Sequence, residues 1–299
     1  MPRKSIVVFS GTGAQGFSVV NALMQHGKYR IRAVAKSTDN RKALLLRGKG
    51  TELVRAKLDD LEACKTAVKD AHGVFLVTNF WEHHDEEREF QQGKNVVDAC
   101  IEGGVKHLVF SGQENVLKRS GYSCPHFDAK GRLEEYIQQT LPSTMNWTII
   151  RMPFYFNNFL TANKPTASSD GTKMVEIPMG NCPLPGIDVR DVGRCVVTIL
   201  DDPETYAQRV LGLAGGIHSV QEYCDILNKH LAPLVFKDGK QSLKRYAILP
   251  YPGGVEMASM FQFYQEGIER SVEITKKLNP KVCSFETFVQ NHKKELSML

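Results

Sequence analysis

Short apolar runs alternate with longer stretches of mixed polarity through the first half of the chain. Six runs rich in β-branched residues read as strands, at residues 5–10, 30–35, 52–56, 74–78, 107–111 and 147–151. The intervals 15–27, 40–48, 61–71, 85–103 and 126–140 have the length of helices, and several place apolar residues at helical spacing. This alternation predicts right-handed βαβ crossovers and a parallel sheet. The strands are apolar on both faces, as strands covered by helices on both sides must be.

The rhythm changes after Arg151. Residues 165–171 (P-T-A-S-S-D-G) have the composition of a loop. Residues 174–178 read as a short strand, 188–201 as a helix and 210–214 as a strand, and the remainder mixes helices with prolines at 233, 250, 252 and 280. No internal repeat or low-complexity segment interrupts the pattern. The expectation is an α/β chain, with a Rossmann-type doubly wound parallel sheet over residues 1–152. A smaller, mainly helical C-terminal domain follows over 153–299, and the chain crosses back to the first domain around 185–215.

The first strand ends in Gly11-Thr12-Gly13-Ala14-Gln15-Gly16, a G-x-G-x-x-G turn. Glycines cluster in loops by chance, so the motif alone says little. Here it follows a strand, opens a helix and begins a βαβ unit of the right length, which is the context of a dinucleotide-binding turn. The first glycine would allow the tight turn, the second would let backbone N–H groups approach a pyrophosphate, and the third would let the helix pack on the strand. The helix N-terminus adds unpaired donors and a partial positive charge.

The end of the second strand distinguishes the two nicotinamide dinucleotides. NAD-preferring folds place an acid there to hold the ribose 2′-hydroxyl. This chain has Lys36, followed by Ser37, Thr38, Asp39, Asn40 and Arg41. A lysine, a serine and an arginine suit a 2′-phosphate, so the expected cofactor is NADP(H). Asp39 is the one residue that could turn toward the ribose instead.

Composition narrows the class. Apolar residues make up 42% and charged residues 24% of the 299, which is ordinary for a soluble globular protein. The formal net charge of +5 is not gathered into a basic block, so direct nucleic-acid binding is not expected. No run approaches the length of a membrane span. The N-terminal Met1-Pro2-Arg3-Lys4 is basic, but the apolar stretch behind it is too short for a signal peptide. The seven cysteines include no CxxC, so reduced thiols in an intracellular compartment are expected, without a disulfide frame or zinc site.

Four motifs together carry a family resemblance: G-T-G-A-Q-G at residues 11–16, T-N-F-W at 78–81, H-F-D-A-K at 126–130 and R-M-P-F-Y-F-N-N at 151–158. In combination, and over nearly the whole chain, they resemble the NmrA-like branch of the atypical short-chain dehydrogenase/reductases. The resemblance implies an NADP(H)-binding fold used for sensing and regulation. It implies further cofactor positions at Asp60 and Leu61, at Thr78, Asn79 and Phe80, at Gln91 and Lys130, and at Tyr155, Phe156, Asn157 and Asn158.

Active short-chain reductases pair a Tyr with a Lys four residues later, with a Ser to orient the substrate carbonyl. Lys130 and Ser111 could fill two of these roles, but the Tyr position holds His126. Tyr122 lies outside the spacing and Tyr136 is on the wrong side of the lysine. A neighbouring lysine favours neutral imidazole, which releases a proton less readily. Lys130, His126 and Ser111 are therefore candidates only if the protein is an enzyme.

Three further signals have ordinary readings. His83-His84-Asp85-Glu86 suits a helix N-terminus better than a metal site, since no third ligand has recognisable spacing. Asp188-Val-Arg-Asp191 reads as a helix N-cap. Met257, Met260, Phe261 and Tyr264 form a helical stripe that suits core packing, with a partner interface as the other reading.

The function expected is an NADP(H) redox sensor that changes conformation or association with cofactor level and engages protein partners, including a homodimer that depends on cofactor state. Loops near 79–85 and 165–171 are where the change is expected. The alternative is an NADPH-dependent reductase of a small carbonyl or quinone, and the missing Tyr weighs against it. The location expected is the cytoplasm, with the nucleus as a second site.

Overall fold

A computed structural model describes residues 3–250 and 253–298. Met1, Pro2 and Pro252 of the features above lie outside the described residues. The chain forms two compact units. Unit 1 comprises residues up to Asn115, Pro125–Arg151 and Arg190–Leu211, and unit 2 comprises Val116–Cys124, Met152–Val189 and the remainder from Gly212. The division does not fall at one point along the chain.

Unit 1 begins β1 (Ser5–Val8), α1 (Ala14–His26), β2 (Arg30–Ala35), α2 (Arg41–Gly48), β3 (Glu52–Arg55), α3 (Leu61–Val68) and β4 (Gly73–Leu76). It continues α4 (Glu86–Glu102), β5 (His107–Gly112), α5 (Pro125–Thr140), β6 (Asn146–Arg151), α6 (Val192–Asp201) and β7 (Arg209–Gly212). The seven strands form one sheet in the order β7-β6-β5-β4-β1-β2-β3. The pairs joining β6 through β3 in that order are parallel. The chain leaves β1 toward β2 and β3, then returns to its other side through β4. The switch point therefore lies at the carboxyl ends of β1 and β4, where open α/β sheets bind ligands.

Alternation along the buried strands divides the core. Val7, Phe9, Val74, Leu76, Leu108 and Phe110 join residues of α3, α4 and α5 in one apolar layer. On the other side, Ile6 and Leu200 of α6 meet over Gly73. Five of the seven cysteines are buried and two are half-buried, and none forms a disulfide. Burial pushes the Cys64 thiol up to about 12, so it behaves as a small apolar residue.

The Asp188–Asp191 segment corrects an expectation. The residues 189–191 form a 3-10 turn and α6 starts at Val192. Asp191 stands at the N-cap but makes no side-chain cap bond. The capping group comes from α1: the Ser18 hydroxyl donates to the Arg190 carbonyl oxygen (2.7 Å) and accepts from the Gly193 amide (3.0 Å). The two helices cross this closely because Gly193 has no side chain; a Cβ there would collide with the Ser18 backbone and lie 2.9 Å from the Ala22 methyl.

Unit 2 is mainly helical, as expected, and carries short strands as well. It holds two three-stranded sheets, one of Gly216–His218, Leu184–Ile187 and Phe154–Tyr155, the other of Phe236–Asp238, Lys173–Val175 and Thr166–Ala167. The expected loop at 165–171 thus contains a short strand, paired antiparallel with Lys173–Val175. Its main helices are Val220–Leu231, Gly254–Gln265 and Phe285–Asn291. Phe156, Phe159, Tyr223, Phe285 and Phe288 form a fully buried aromatic core. Met260, Phe261 and Tyr264 are buried too, with Phe261 against Phe154 and Tyr246, so these three pack as core, while Met257 is half-buried.

Two outcomes follow. Ser18→Ala removes both cap bonds and should cost about 1 kcal/mol, whereas Gly193→Ala overpacks the crossing and should cost about 1–3 kcal/mol, both read by urea unfolding. His107 opens β5, is buried, and lies with Nε2 2.9 Å from Thr148 Oγ1, while burial lowers its pKa to about 4. Its folded pKa is below the unfolded value, so the unfolded state binds more protons in between. Stability should be full above about pH 6.5 and fall as pH drops toward 4, and His107→Gln should flatten that slope in unfolding curves taken across the range.

Candidate functional site

The turn after β1 is built by close approach. The Gly11 amide donates to the Val34 carbonyl oxygen (2.9 Å) and the Gly13 amide to that of Ser10 (2.8 Å). The left-handed residue is Ser10, with φ 52°, not one of the glycines. Gly11 is needed because a Cβ would sit 2.8 Å from the Ala33 methyl of β2, and Gly16 because a Cβ would collide with the Ser10 carbonyl. Gly13 is less constrained, with a Cβ 3.1 Å from Ser10 O. The Ser10 hydroxyl donates to the Val77 carbonyl oxygen (3.1 Å), which ties the ends of β1 and β4 together.

This turn delivers α1 with its N-terminus bare of competing groups. Gly13, at the N-cap, brings no side chain, and the first turn holds no acid. Thr12 is half-buried in the turn, while Ala14 is exposed and Gln15 half-buried in the first turn of α1. Beside the turn, Thr78 follows β4 and is buried with its Oγ1 lacking any hydrogen-bond partner. A buried hydroxyl without a partner is costly, and a polar ligand at this crevice would satisfy it. Together these features fit a bound diphosphate.

The segment after β2 is already engaged. Lys36 Nζ is ion-paired with Glu82, both side chains being 44% exposed. The Ser37 hydroxyl bonds to the Asp39 carboxylate, which that bond, above all, holds below its ordinary range. Asp39 is thus turned to Ser37. The Thr38 carbonyl accepts from Arg47 (3.3 Å), Asn40 caps α2 by accepting from the Ala43 amide (3.0 Å), and Arg41 begins that helix, exposed.

After β3, Asp60 caps α3 by accepting from the Ala63 amide (3.0 Å), and Leu61 packs against the apolar layer. The neighbouring Asp59 carries the stronger electrostatics. Arg88 grips it with two bonds (2.9 and 3.2 Å) and Gln92 donates to both its oxygens (3.1 Å), and the Arg88 bond chiefly brings its pKa down to about 2. Gln91 is on the exposed side of α4, donating to Asn95 (2.8 Å), so the inward glutamine is Gln92.

After β4, Asn79 is exposed and residues 80–82 form a 3-10 turn. Phe80 is its buried anchor, and Trp81 lies 4.9 Å from the His126 ring. His126 is buried among Phe80, Trp81 and Phe127, so its ring packs an aromatic cluster. In the same segment His83 lies 3.4 Å from Gln92, and Asp85 caps α4 by accepting from the Arg88 amide (3.0 Å). No group of three or more His, Cys, Asp or Glu among the described residues could hold a metal ion.

Lys130 has a partner that sequence reasoning missed. Its ammonium is ion-paired with Glu89 of α4 and points toward the His126 carbonyl oxygen (3.5 Å). Glu89 is 1% exposed and its Oε2 has no hydrogen-bond partner. The signal was present: Glu89 falls on the helical face of Gln92, Val96, Val97 and Cys100, all buried. Ser111 is buried in β5, opposite Ile150. Neither tyrosine considered for the lysine is placed to serve it: Tyr136 donates to Asp98 (2.6 Å), and Tyr122, in unit 2, to Glu266 (2.7 Å).

Tyr155, Phe156, Asn157 and Asn158 belong to unit 2. Tyr155 is half-buried, whereas Phe156 is fully buried in the aromatic core, its ring 5.1 Å from Phe285. Asn157 accepts from the Val189 amide (3.0 Å) and donates to the buried Asp188 (3.5 Å). The Asn158 carbonyl closes a turn by accepting from Thr161 and Asn163.

Comparison with known proteins agrees with this fold. Residues 2–289 match the model of the NmrA-like family. An NmrA-like family domain-containing protein of Dictyostelium discoideum is 25% identical over 305 residues, covering 96% of this chain and 97% of its own. The NmrA-like family domain-containing oxidoreductase FrzB of Cladobotryum sp. is 29% identical over 226 residues, 69% of this chain and 67% of its own. Among solved structures, the negative transcriptional regulator NmrA in complex with NADP superposes with TM-score 0.83 at 20% identity, covering 100% of this chain and 99% of that one. The same regulator has also been solved with NAD, at TM-score 0.84 and 21% identity over the same shares.

The buried Glu89–Lys130 pair makes a stability prediction. Glu89→Ala leaves a largely buried ammonium uncompensated and should cost about 3–5 kcal/mol. Removing both charges, as Glu89→Gln with Lys130→Met, should cost less than either single charge removal. A double-mutant cycle by urea unfolding measures the difference.

Proposed function

Because this chain belongs to the NmrA-like family, we propose that unit 1 binds NADP(H) and that its occupancy is read out by protein partners. The observation that carries the cofactor reading is the glycine turn at the β1–β4 switch point, with a bare helix N-terminus and the unpartnered Thr78 hydroxyl beside it. The amides at the start of α1 would hold the diphosphate. Lys36, with Arg41 nearby, would hold the 2′-phosphate.

Regulation is favoured over turnover by what the catalytic positions do. Tyr122 and Tyr136 are both bonded to carboxylates elsewhere, and the imidazole in the usual tyrosine position is packed among aromatic rings. The sensor changes conformation or association, including a homodimer dependent on cofactor state, with the cytoplasm as its setting and the nucleus as a second one. Such a switch needs unequal affinity of the two states for the cofactor, since moving a population from 1:99 to 99:1 takes about 5.5 kcal/mol.

One observation favours a second reading, a reductase of a small carbonyl or quinone. Lys130 is held by a buried carboxylate in a position where it could give up a proton. NADPH, when bound, would supply the hydride; the chain would orient the ammonium and exclude water. NADPH oxidation across a panel of quinones and enals, lost in Lys130→Met, would establish that reading against the sensor.

The binding test is titration of the full chain with NADP(H) and NAD(H), following molecular mass and hydrogen exchange. Lys36→Met should weaken NADP(H) binding by about ten- to a hundredfold while leaving NAD(H) nearly unaffected. A sensor also requires NADPH to shift assembly or loop protection. No affinity for any nicotinamide nucleotide defeats the proposal.

A further inference from the structure

We infer that Glu82 is a specificity-determining residue: it neutralises Lys36 until a 2′-phosphate displaces it, so that the 80–82 turn responds to NADP(H) and not to NAD(H). The inference rests on the NADP(H) reading above. It concerns four side chains, Lys36, Asp59 and Glu82 beyond the ends of β2, β3 and β4, and Arg88 in the first turn of α4. Lys36 is paired with Glu82, and Arg88 is paired in a fork with Asp59. The two pairs also feel each other: Lys36 helps lower the Asp59 carboxyl, and Glu82 helps raise the Arg88 guanidinium. The formal charges of these four groups cancel, and Asp85 also acts on Arg88.

A 2′-phosphate arriving at Lys36 carries nearly two negative charges and repels Glu82. Glu82 has an alternative cation within electrostatic reach, Arg88, so release from Lys36 need not leave it alone. The turn is built to allow that exchange. Phe80, at 2% exposure, fixes it from below, while Trp81 and Glu82 stand on the outer side. Its backbone is closed by the His83 and His84 amides donating to the Phe80 carbonyl oxygen (3.1 and 2.8 Å), which does not depend on Glu82. A nucleotide with a free 2′-hydroxyl has no charge with which to break the Lys36–Glu82 pair and leaves the turn as it is. The neighbouring acid, Asp39, is turned to Ser37 and does not compete for Lys36.

Calorimetric titration of the wild type and of Glu82→Gln with NADP⁺ and NAD⁺ tests this, together with hydrogen exchange over residues 79–85. Exposed ion pairs are weak, so Glu82→Gln should tighten NADP⁺ binding by about two- to fivefold, less at high salt, with NAD⁺ unchanged. In the wild type, only NADP⁺ should alter protection of residues 79–85. An unchanged ratio of the two affinities in Glu82→Gln overturns the inference while leaving the cofactor reading standing. Equal protection changes with both nucleotides do the same. Wild-type protein that binds neither nucleotide overturns the proposed function and this inference with it.

Discussion

The contact on which unit 1 depends is the seating of α1 against the Ser10 carbonyl, at Gly16. A single added methyl at Gly16 would collide with that carbonyl. Protein interiors transmit such a misfit because they are close-packed. The position of α1 in turn fixes Ser18, which caps α6 from a distance of 172 residues along the chain. One close approach therefore sets both the mouth of the first helix and the anchoring of the segment that returns late in the sequence.

Around that mouth the charges are paired rather than free. Lys36 is paired with Glu82, Arg88 with Asp59 and Lys130 with Glu89, and of these Lys36 and Lys130 are expected cofactor positions. Their energetics differ. The first two pairs are largely exposed, where an ion pair contributes little. The third is buried, and breaking it strands a charge. Unit 1 thus combines a buried ammonium held by Glu89 with exposed ion pairs at Lys36 and Arg88. A sensor needs both features, a constant frame and an element with two near-equal arrangements.

Where sequence and structure disagree, the difference is one of range. The left-handed residue of the glycine turn is Ser10, because the strand ends of β1 and β4 are tied through its hydroxyl. Asp191 stands at the N-cap of α6 without a side-chain cap bond, and a serine from another helix bonds the first turn. Gln91 points outward and Gln92 inward, a difference of one residue that the helical face of α4 decides.

The sequence by itself determined the strand–helix alternation, the parallel sheet, the glycine turn and the lysine that stands where an acid would favour NAD. These are legible because they depend on local periodicity, on side-chain size at a turn and on the charge at one strand end. Only the tertiary structure decided which groups meet: Glu82 with Lys36, Glu89 with Lys130, Ser18 with Gly193, and Thr78 buried with no partner. Such meetings depend on how separate elements pack, and no spacing along the chain encodes the distance between two side chains that folding brings together.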